Sequence, residues 1–420
     1  MIVIGLIGCL MILLFVHHTI KDVMSPPFVL SGIWLFTYIL LLLFRKSTVD
    51  LSSIYYLSFL GGLLFFILGF FIAVASKTKM NRHHLRENNN NLRFKLPYIQ
   101  IFLLIIFILF CVYLVKVVKY VSQENTFNFW HTLSTGKKMG LFKIPLIIEY
   151  SRSAVIALSI LCSIIFFCNA TKSNKRYFYL SSLFAFFYVI TAGNRGAIFF
   201  WILSILFSYL IVRNFNNRKL LLIFSRMLII ILIIFIYTSL IKYVHIKDDE
   251  AFEFSKYILK HYFTSAPIAF VEWMKSAKEY MYGANTFRFF IAIFKHFGGN
   301  IDVVQTVQEP IKITKLGEET NVYTVLHYYA SDFGLFYAFF IQFILGITHG
   351  FLYKRACFSK IISVSYVALL AISYYPLLYQ VFSDQYFTLF SSWIQYVIWF
   401  WIFTNPAFLI KSKILETSTT

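Results

Sequence analysis

Long apolar runs separated by short polar punctuation dominate the chain. Bounded by charges or Pro/Asn clusters, they number eleven, at roughly 2–16, 27–44, 54–75, 97–116, 144–168, 178–192, 197–212, 221–241, 333–353, 361–380 and 387–409. A helix needs about 20 apolar residues to cross the hydrocarbon layer. Backbone polar groups in lipid must be bonded within the segment. Each run therefore predicts a transmembrane helix, the first, sixth and seventh being short. Two polar stretches are long, 116–143 and 242–332. Within the second, Ala251–Ser265 and Pro267–Tyr282 alternate aromatic and charged residues at roughly helical spacing, and Asn285–Phe297 is basic and amphipathic. Stretches of that last kind lie in the membrane interface, aromatic face down. The expected architecture is an all-α, polytopic transmembrane helical bundle of about eleven spans. It forms one integral membrane domain over 1–420, with a large, partly helical extracytoplasmic loop at 242–332.

Composition narrows the function classes. Of 420 residues, 59% are hydrophobic and 13% charged, with a mean hydropathy of +0.73. Soluble chains carry about a quarter charged residues, so a soluble enzyme, a secreted disulfide scaffold and a nucleic-acid module are excluded. Four of the five cysteines (Cys9, Cys111, Cys162, Cys168) sit in apolar runs and Cys357 in a short basic loop, so neither a disulfide framework nor zinc spacing is available. Leu6–Cys9 superficially resembles a lipoprotein cleavage box but lacks a basic leader, so the first run reads as an uncleaved span.

The net charge of +20 reads first as topology. With 17–26, 76–96, 169–177, 213–220, 354–360 and the tail 410–420 on one side, that side holds 18 Lys/Arg against three acids. The opposite side holds 18 Lys/Arg against fourteen acids, and the short basic loops fall on the first. The positive-inside rule then puts the N-terminus outside and the C-terminus in the cytoplasm. Nearly all the polar mass is external. Neither a Walker lysine loop nor a Rossmann glycine fingerprint is present, and there is no internal repeat. Any chemistry is therefore extracytoplasmic and uses substrates already in or across the membrane.

Four local features carry candidate chemistry. The turn Gly193-Asn194-Arg195-Gly196 joins two short spans, which sets Arg195 at or just beneath the outer interface. Flanking glycines permit a tight turn and close approach to a ligand. A recessed arginine there is a candidate anion contact, the alternative being one that snorkels to lipid phosphates. Arg152 in Glu149-Tyr150-Ser151-Arg152 is either neutralised by Glu149 at i, i+3 or is a second phosphate-binding arginine; two converging guanidinium groups suit a diphosphate. Arg288, on the amphipathic stretch, is a third candidate diphosphate contact beneath a lid and clamp. Finally, Asn321–Gly334 clusters Asn321, Tyr323, Thr324, His327, Tyr328, Tyr329 and Asp332 at the outer mouth. Asn321, Tyr323, Tyr328 and Tyr329 are candidate glycan-binding groups, since ring faces stack on pyranoses and polar edges meet hydroxyls. His327 or Asp332 is the candidate general base. The bland alternative is an aromatic belt with Asp332 capping a helix N-terminus. Asp248-Asp249-Glu250 and Asp384 are the remaining outer acids, better read as solvated charge than as a metal site, so no metal and no cofactor is expected.

Ser25-Pro26-Pro27-Phe28 before Trp34, the Ala192–Gly196 arginine turn, and a large outer loop ending in Asn321–Thr324 and Asp332–Gly334 form a recognisable layout. Across essentially the whole chain it resembles the Wzy-type oligosaccharide repeat-unit polymerases, the O-antigen and capsular polysaccharide polymerases of the bacterial cytoplasmic membrane. The resemblance implies transfer of a growing glycan from undecaprenyl diphosphate to a new lipid-linked repeat. Arg195 would hold the diphosphate and Asn321–Gly334 would form part of the catalytic face, without a metal. The implied partners are the undecaprenyl-diphosphate-linked oligosaccharide and membrane lipid, with a chain-length regulator as a further candidate and no nucleic acid. The odd span count departs from the family layout. O-antigen ligases share the architecture, and a flippase or transporter of lipid-linked sugars is the rival from another class. One-sided polar mass and span centres nearly free of charge favour the enzyme.

Overall fold

The computed structural model describes the chain apart from residues 46–48, 76–91, 124–131, 134, 137–140, 193–194, 214, 224, 227–232, 234–247, 277–278, 305–307, 315–316, 359–362 and 412–420. The described residues are mostly helical, with several helices of membrane type. Its principal helices are α1 (Ile2–Ile20), α2 (Pro26–Arg45), α3 (Ser58–Val74), α4 (Leu96–Gln123), α5 (Leu146–Cys168), α6 (Lys172–Thr191), α7 (Arg195–Arg213), α8 (Asp248–Lys275), α9 (Arg288–His296), α10 (Val325–Phe333), α11 (Leu335–Cys357), α12 (Val364–Tyr379) and α13 (Phe390–Phe403). Among the described residues, seven helices are long and apolar enough to cross a membrane: α1, α2, α3 with its preceding 3-10 turn, α4, α5, α7 and α11. The predicted runs at 178–192, 361–380 and 387–409 become α6, α12 and α13. Most of the predicted run at 221–241 lies outside the described residues.

One compact unit comprises 1–79, 216–354 and 373–391. In it Pro26 and Pro27 occupy the first turn of α2, where no intrahelical N–H is needed. The preceding loop is tied down by Asp22, which accepts from the Met24 N–H (2.9 Å) and the Tyr353 hydroxyl. Trp34 stacks on Phe59 at 4.6 Å, and Phe59 meets Phe270 of α8 at 5.4 Å. Helices α3 and α11 approach backbone to backbone. A methyl group on Gly346 would lie 2.0 Å from the Phe66 carbonyl oxygen, and one on Gly69 would lie 2.1 Å from that of Phe343. Small residues serve this purpose between membrane helices, where lipid removes the hydrophobic incentive to pack.

The stretches Ala251–Ser265 and Pro267–Tyr282 share one helix, α8, which runs through Pro267 and ends at Lys275. A proline inside a helix costs about 3 kcal/mol. The buried stretch Thr264–Val271 offsets this by tertiary packing. Further along, Gly317 adopts φ +84 within a small hairpin, β2 (Ile311–Lys312) paired antiparallel with β3 (Glu319–Thr320).

The second unit comprises 80–215, 355–372 and 392–420. Helix α5 is its core, buried along most of its length. Its serines act as polar glue: Ser159 lies 3.2 Å from Ser182 and accepts from the Trp201 indole (3.1 Å), and Ser153 donates to Gln395 (2.6 Å). The Tyr113 hydroxyl caps the Thr191 carbonyl at the end of α6 (3.1 Å). Residues 92–94 (β1) pair antiparallel with 409–411 (β4).

Candidate functional site

In the first unit, the 281–334 segment gathers most of the residues singled out by the sequence. The centre is α10, a nine-residue helix whose side chains from Val325 to Asp332 are all buried. Gly334 at φ +89 ends it, and α11 begins at the next residue.

Asp332 sits at the C-terminal end of α10, three residues before α11 begins, and its carboxylate bonds the 285–286 turn. Its Oδ1 accepts from the Asn285 N–H (3.0 Å) and Nδ2 (3.2 Å), and its Oδ2 accepts from the Thr286 N–H (2.8 Å) and Oγ1 (2.6 Å). The Met281 and Tyr282 amides add bonds to the Ser331 and Asp332 carbonyls (2.8 and 3.1 Å). A carboxylate with both oxygens occupied and no exposed surface is badly placed to take a substrate proton. Its observed work is to clasp the turn that sets Arg288 at the head of α9.

Asp384 forms a second clasp. It accepts from the Tyr329 hydroxyl (2.8 Å), from the amides of Tyr386 (2.9 Å) and Thr388 (2.8 Å), and from the Thr388 hydroxyl (2.9 Å). Tyr329 is thereby a fully buried anchor rather than an open sugar platform. Among the described residues no group of three or more His, Cys, Asp or Glu could hold a metal ion.

His327 stacks on Tyr323 at 3.9 Å and meets the edge of Trp273 at 4.7 Å. Tyr323 is fixed in turn by its hydroxyl, which donates to the Glu309 carbonyl (3.0 Å). Burial lowers the His327 pKa to about 3, so the imidazole is neutral at pH 7. Its Nδ1 is buried without a hydrogen-bond partner. Arg288 is half-buried and its Nε also lacks a partner. Burial lowers its pKa while the neighbouring Tyr328 opposes that shift. Burial likewise pushes the Tyr328 phenol up to about 12, with Asp384 and Tyr323 adding to the rise and Arg288 opposing it. Asn321 is exposed.

The other two arginines belong to the second unit. Arg152 lies 3.7 Å from Glu149, the i, i+3 neutralising pair. Arg195 is the first residue of α7, four residues after α6 ends at Thr191. Gly193, Asn194 and the Arg195 side chain fall outside the described residues.

Two polar features escape a reading by sequence. Arg45, at the end of α2, is wholly buried; its Nε donates to Thr264 Oγ1 (2.8 Å) and its Nη1 pairs with Glu318. In sequence it is one more cation flanking a span, and its partner lies 273 positions away. His349, midway along α11, bonds Tyr386 through Nε2 (2.9 Å), with Ser373 Oγ 3.4 Å from Nδ1. Gln342, two turns earlier on α11, is equally buried. The signal for these two was legible: polar side chains inside an apolar run. Compared with known protein families, curated proteins and solved structures, the chain matches none.

Proposed function

We propose that the protein is a glycosyltransferase of the bacterial cytoplasmic membrane that polymerises lipid-linked oligosaccharide repeats at the outer face. The N-terminus lies outside and the C-terminus in the cytoplasm. The observation that carries this reading is the juxtaposition, within a unit built on membrane-type helices, of ring faces, a neutral imidazole with a buried, unpartnered nitrogen, and a half-buried cation.

In the proposed reaction an acceptor sugar hydroxyl attacks the anomeric carbon of the donor glycan. The carbon–oxygen bond to undecaprenyl diphosphate breaks, the bond pair leaves with the diphosphate, and the acceptor's hydroxyl proton passes to an oxygen of that departing diphosphate. An arginine, Arg288 or Arg195, stabilises the charge growing on the diphosphate, as a fixed charge does for a developing anion. Arg152, held by Glu149, has the weaker claim. His327, rather than the clasped Asp332, is the group able to accept a hydrogen bond from the acceptor hydroxyl. With a pKa near 3 it orients that hydroxyl more than it removes its proton.

The test is reconstitution with lipid-linked repeats. Wild type lengthens the glycan, Arg195→Ala leaves single repeats on the lipid, and Arg288→Ala slows polymerisation by about 10²-fold. Unchanged chain length in both variants refutes the assignment. A ligase would instead move the glycan to a different acceptor lipid. Transport of lipid-linked sugars gains support from one observation, the buried polar pair Gln342 and His349 inside α11; movement of lipid across vesicles without bond formation would select it.

A further inference from the structure

Helix α9 carries an apolar stripe that the rest of its unit leaves uncovered. Phe290, Ile293, Phe294 and the C-cap Phe297 recur at i, i+3, i+4 and i+7, the spacing of one helix face. They are between 41% and 83% exposed, and no residue of α9 is buried. Arg288, Ala292 and Lys295 share the opposite face at i, i+4 and i+7, and α9 contains no acid. Lys295 pairs with Asp302 in the following loop (2.7 Å).

The tertiary structure sets the level of this stripe. The Asp332 clasp holds residues 285–286, just ahead of α9, at the junction where α10 gives way to α11, a helix of spanning type. Aromatic rings carry the apolar surface across that junction. A methyl group on Gly283 would lie 2.6 Å from Phe287 Cδ2 and 3.3 Å from Phe333 Cε2, so both rings border one spot. Beyond Phe333, the exposed Phe336, Phe340 and Ile344 follow at helical spacing along α11. Phe289 and Phe290 also meet Phe390, the first residue of α13, at 5.4 and 5.8 Å.

Exposed apolar surface of this extent marks a contact with protein or membrane. Continuity with the uncovered side of a spanning-type helix, and cations on the far face, select the membrane. We infer that α9 is an in-plane anchor, its Phe290–Phe297 stripe seated where the headgroups of a phospholipid bilayer meet the acyl chains. Periodicity alone permits this of an isolated peptide. The clasp and the Phe287–Phe333 contact put the helix at the end of a span, which is where that boundary lies. The docking does not depend on the glycan chemistry proposed above, and it holds the backbone of Arg288 at the depth of lipid phosphates.

The experiment uses the full-length protein in vesicles of phosphatidylethanolamine and phosphatidylglycerol. Cys111→Ser and Cys168→Ser remove the two cysteines that are not buried. A fluorophore is then attached at Phe290→Cys, Ala292→Cys, Phe294→Cys or Phe336→Cys, and quenched by nitroxide lipids or by aqueous iodide. Labels at 290 and 294 should lie about 5–10 Å below the headgroups, with the label at 292 open to iodide and that at 336 open to the lipid quencher. Iodide reaching 290 and 294 as readily as 292 means that α9 stands in water, and overturns the anchor. Shielding of 290 and 294 from both quenchers means that protein covers the stripe, a second copy where Phe294→Cys crosslinks two chains, and overturns it too. A label at 336 beyond reach of the lipid quencher breaks the continuity and has the same force. As a second check, Phe290→Glu with Phe294→Glu should raise iodide quenching at Phe297→Cys several-fold and leave the 336 label unmoved; an unmoved 297 label counts against the anchor. No glycan is present in these measurements, so failure to polymerise lipid-linked repeats leaves the anchor standing, and loss of the anchor leaves the polymerase reading to its own assay.

Discussion

Replacing His327 by phenylalanine isolates one titration. Phenylalanine keeps a flat ring between Tyr323 and Trp273, so packing changes little while the ionisable group disappears. Burial holds the native imidazole near pKa 3, against 6.5 for the free side chain. Below pH 6.5 the unfolded chain therefore takes up a proton that the folded chain refuses. Stability from this group is complete above pH 6.5 and is lost as pH falls toward 3. Each pH unit in that window is worth about 1.4 kcal/mol, so the step from pH 7 to pH 5 removes about 2 kcal/mol from wild type and nothing through this site from His327→Phe. Unfolding in mixed micelles by added SDS, followed by tryptophan fluorescence at both pH values, measures the difference; the other histidines are common to both proteins and cancel. Parallel losses in the two proteins would mean that folded His327 accepts a proton readily, which would refute the buried, neutral imidazole.

Three further outcomes follow from the same geometry. Asp332→Asn leaves at least one of the four donors on the 285–286 turn without an acceptor and should cost about 2–4 kcal/mol; limited trypsin digestion should then cut sooner at Arg288. Glu318→Ala strands the buried Arg45 charge and should destabilise by about 3 kcal/mol, whereas Arg45→Met combined with Glu318→Met recovers most of it; a double-mutant cycle reads the coupling, and additive losses would contradict the ion pair. Gly346→Leu places a side chain against the Phe66 backbone, so α3 and α11 must separate; a cysteine crosslink engineered between these helices should form efficiently in wild type and poorly in that variant.

Sequence by itself determined the class of structure. Apolar runs of helical length leave no other way to satisfy backbone groups in lipid, and α1, α2, α3, α5 and α7 begin and end within a few residues of where charge and proline bound them. The concentration of aromatic and polar residues at 321–334 and the amphipathic α9 were legible for the same reason, since composition and period are local properties. What each polar group does was decided elsewhere. Asp332 looked like a base or a cap until Asn285 and Thr286, 46–47 positions away, filled its lone pairs. Arg45 looked like a flanking cation until Glu318 and Thr264 closed over it. Thr324 was one polar residue in a cluster until the fold made it the N-cap of α10 with its hydroxyl buried and unbonded. Hydrogen-bond occupancy and burial arise between segments distant along the chain, so they enter only when the helices pack, and they separate a clasp from a candidate site.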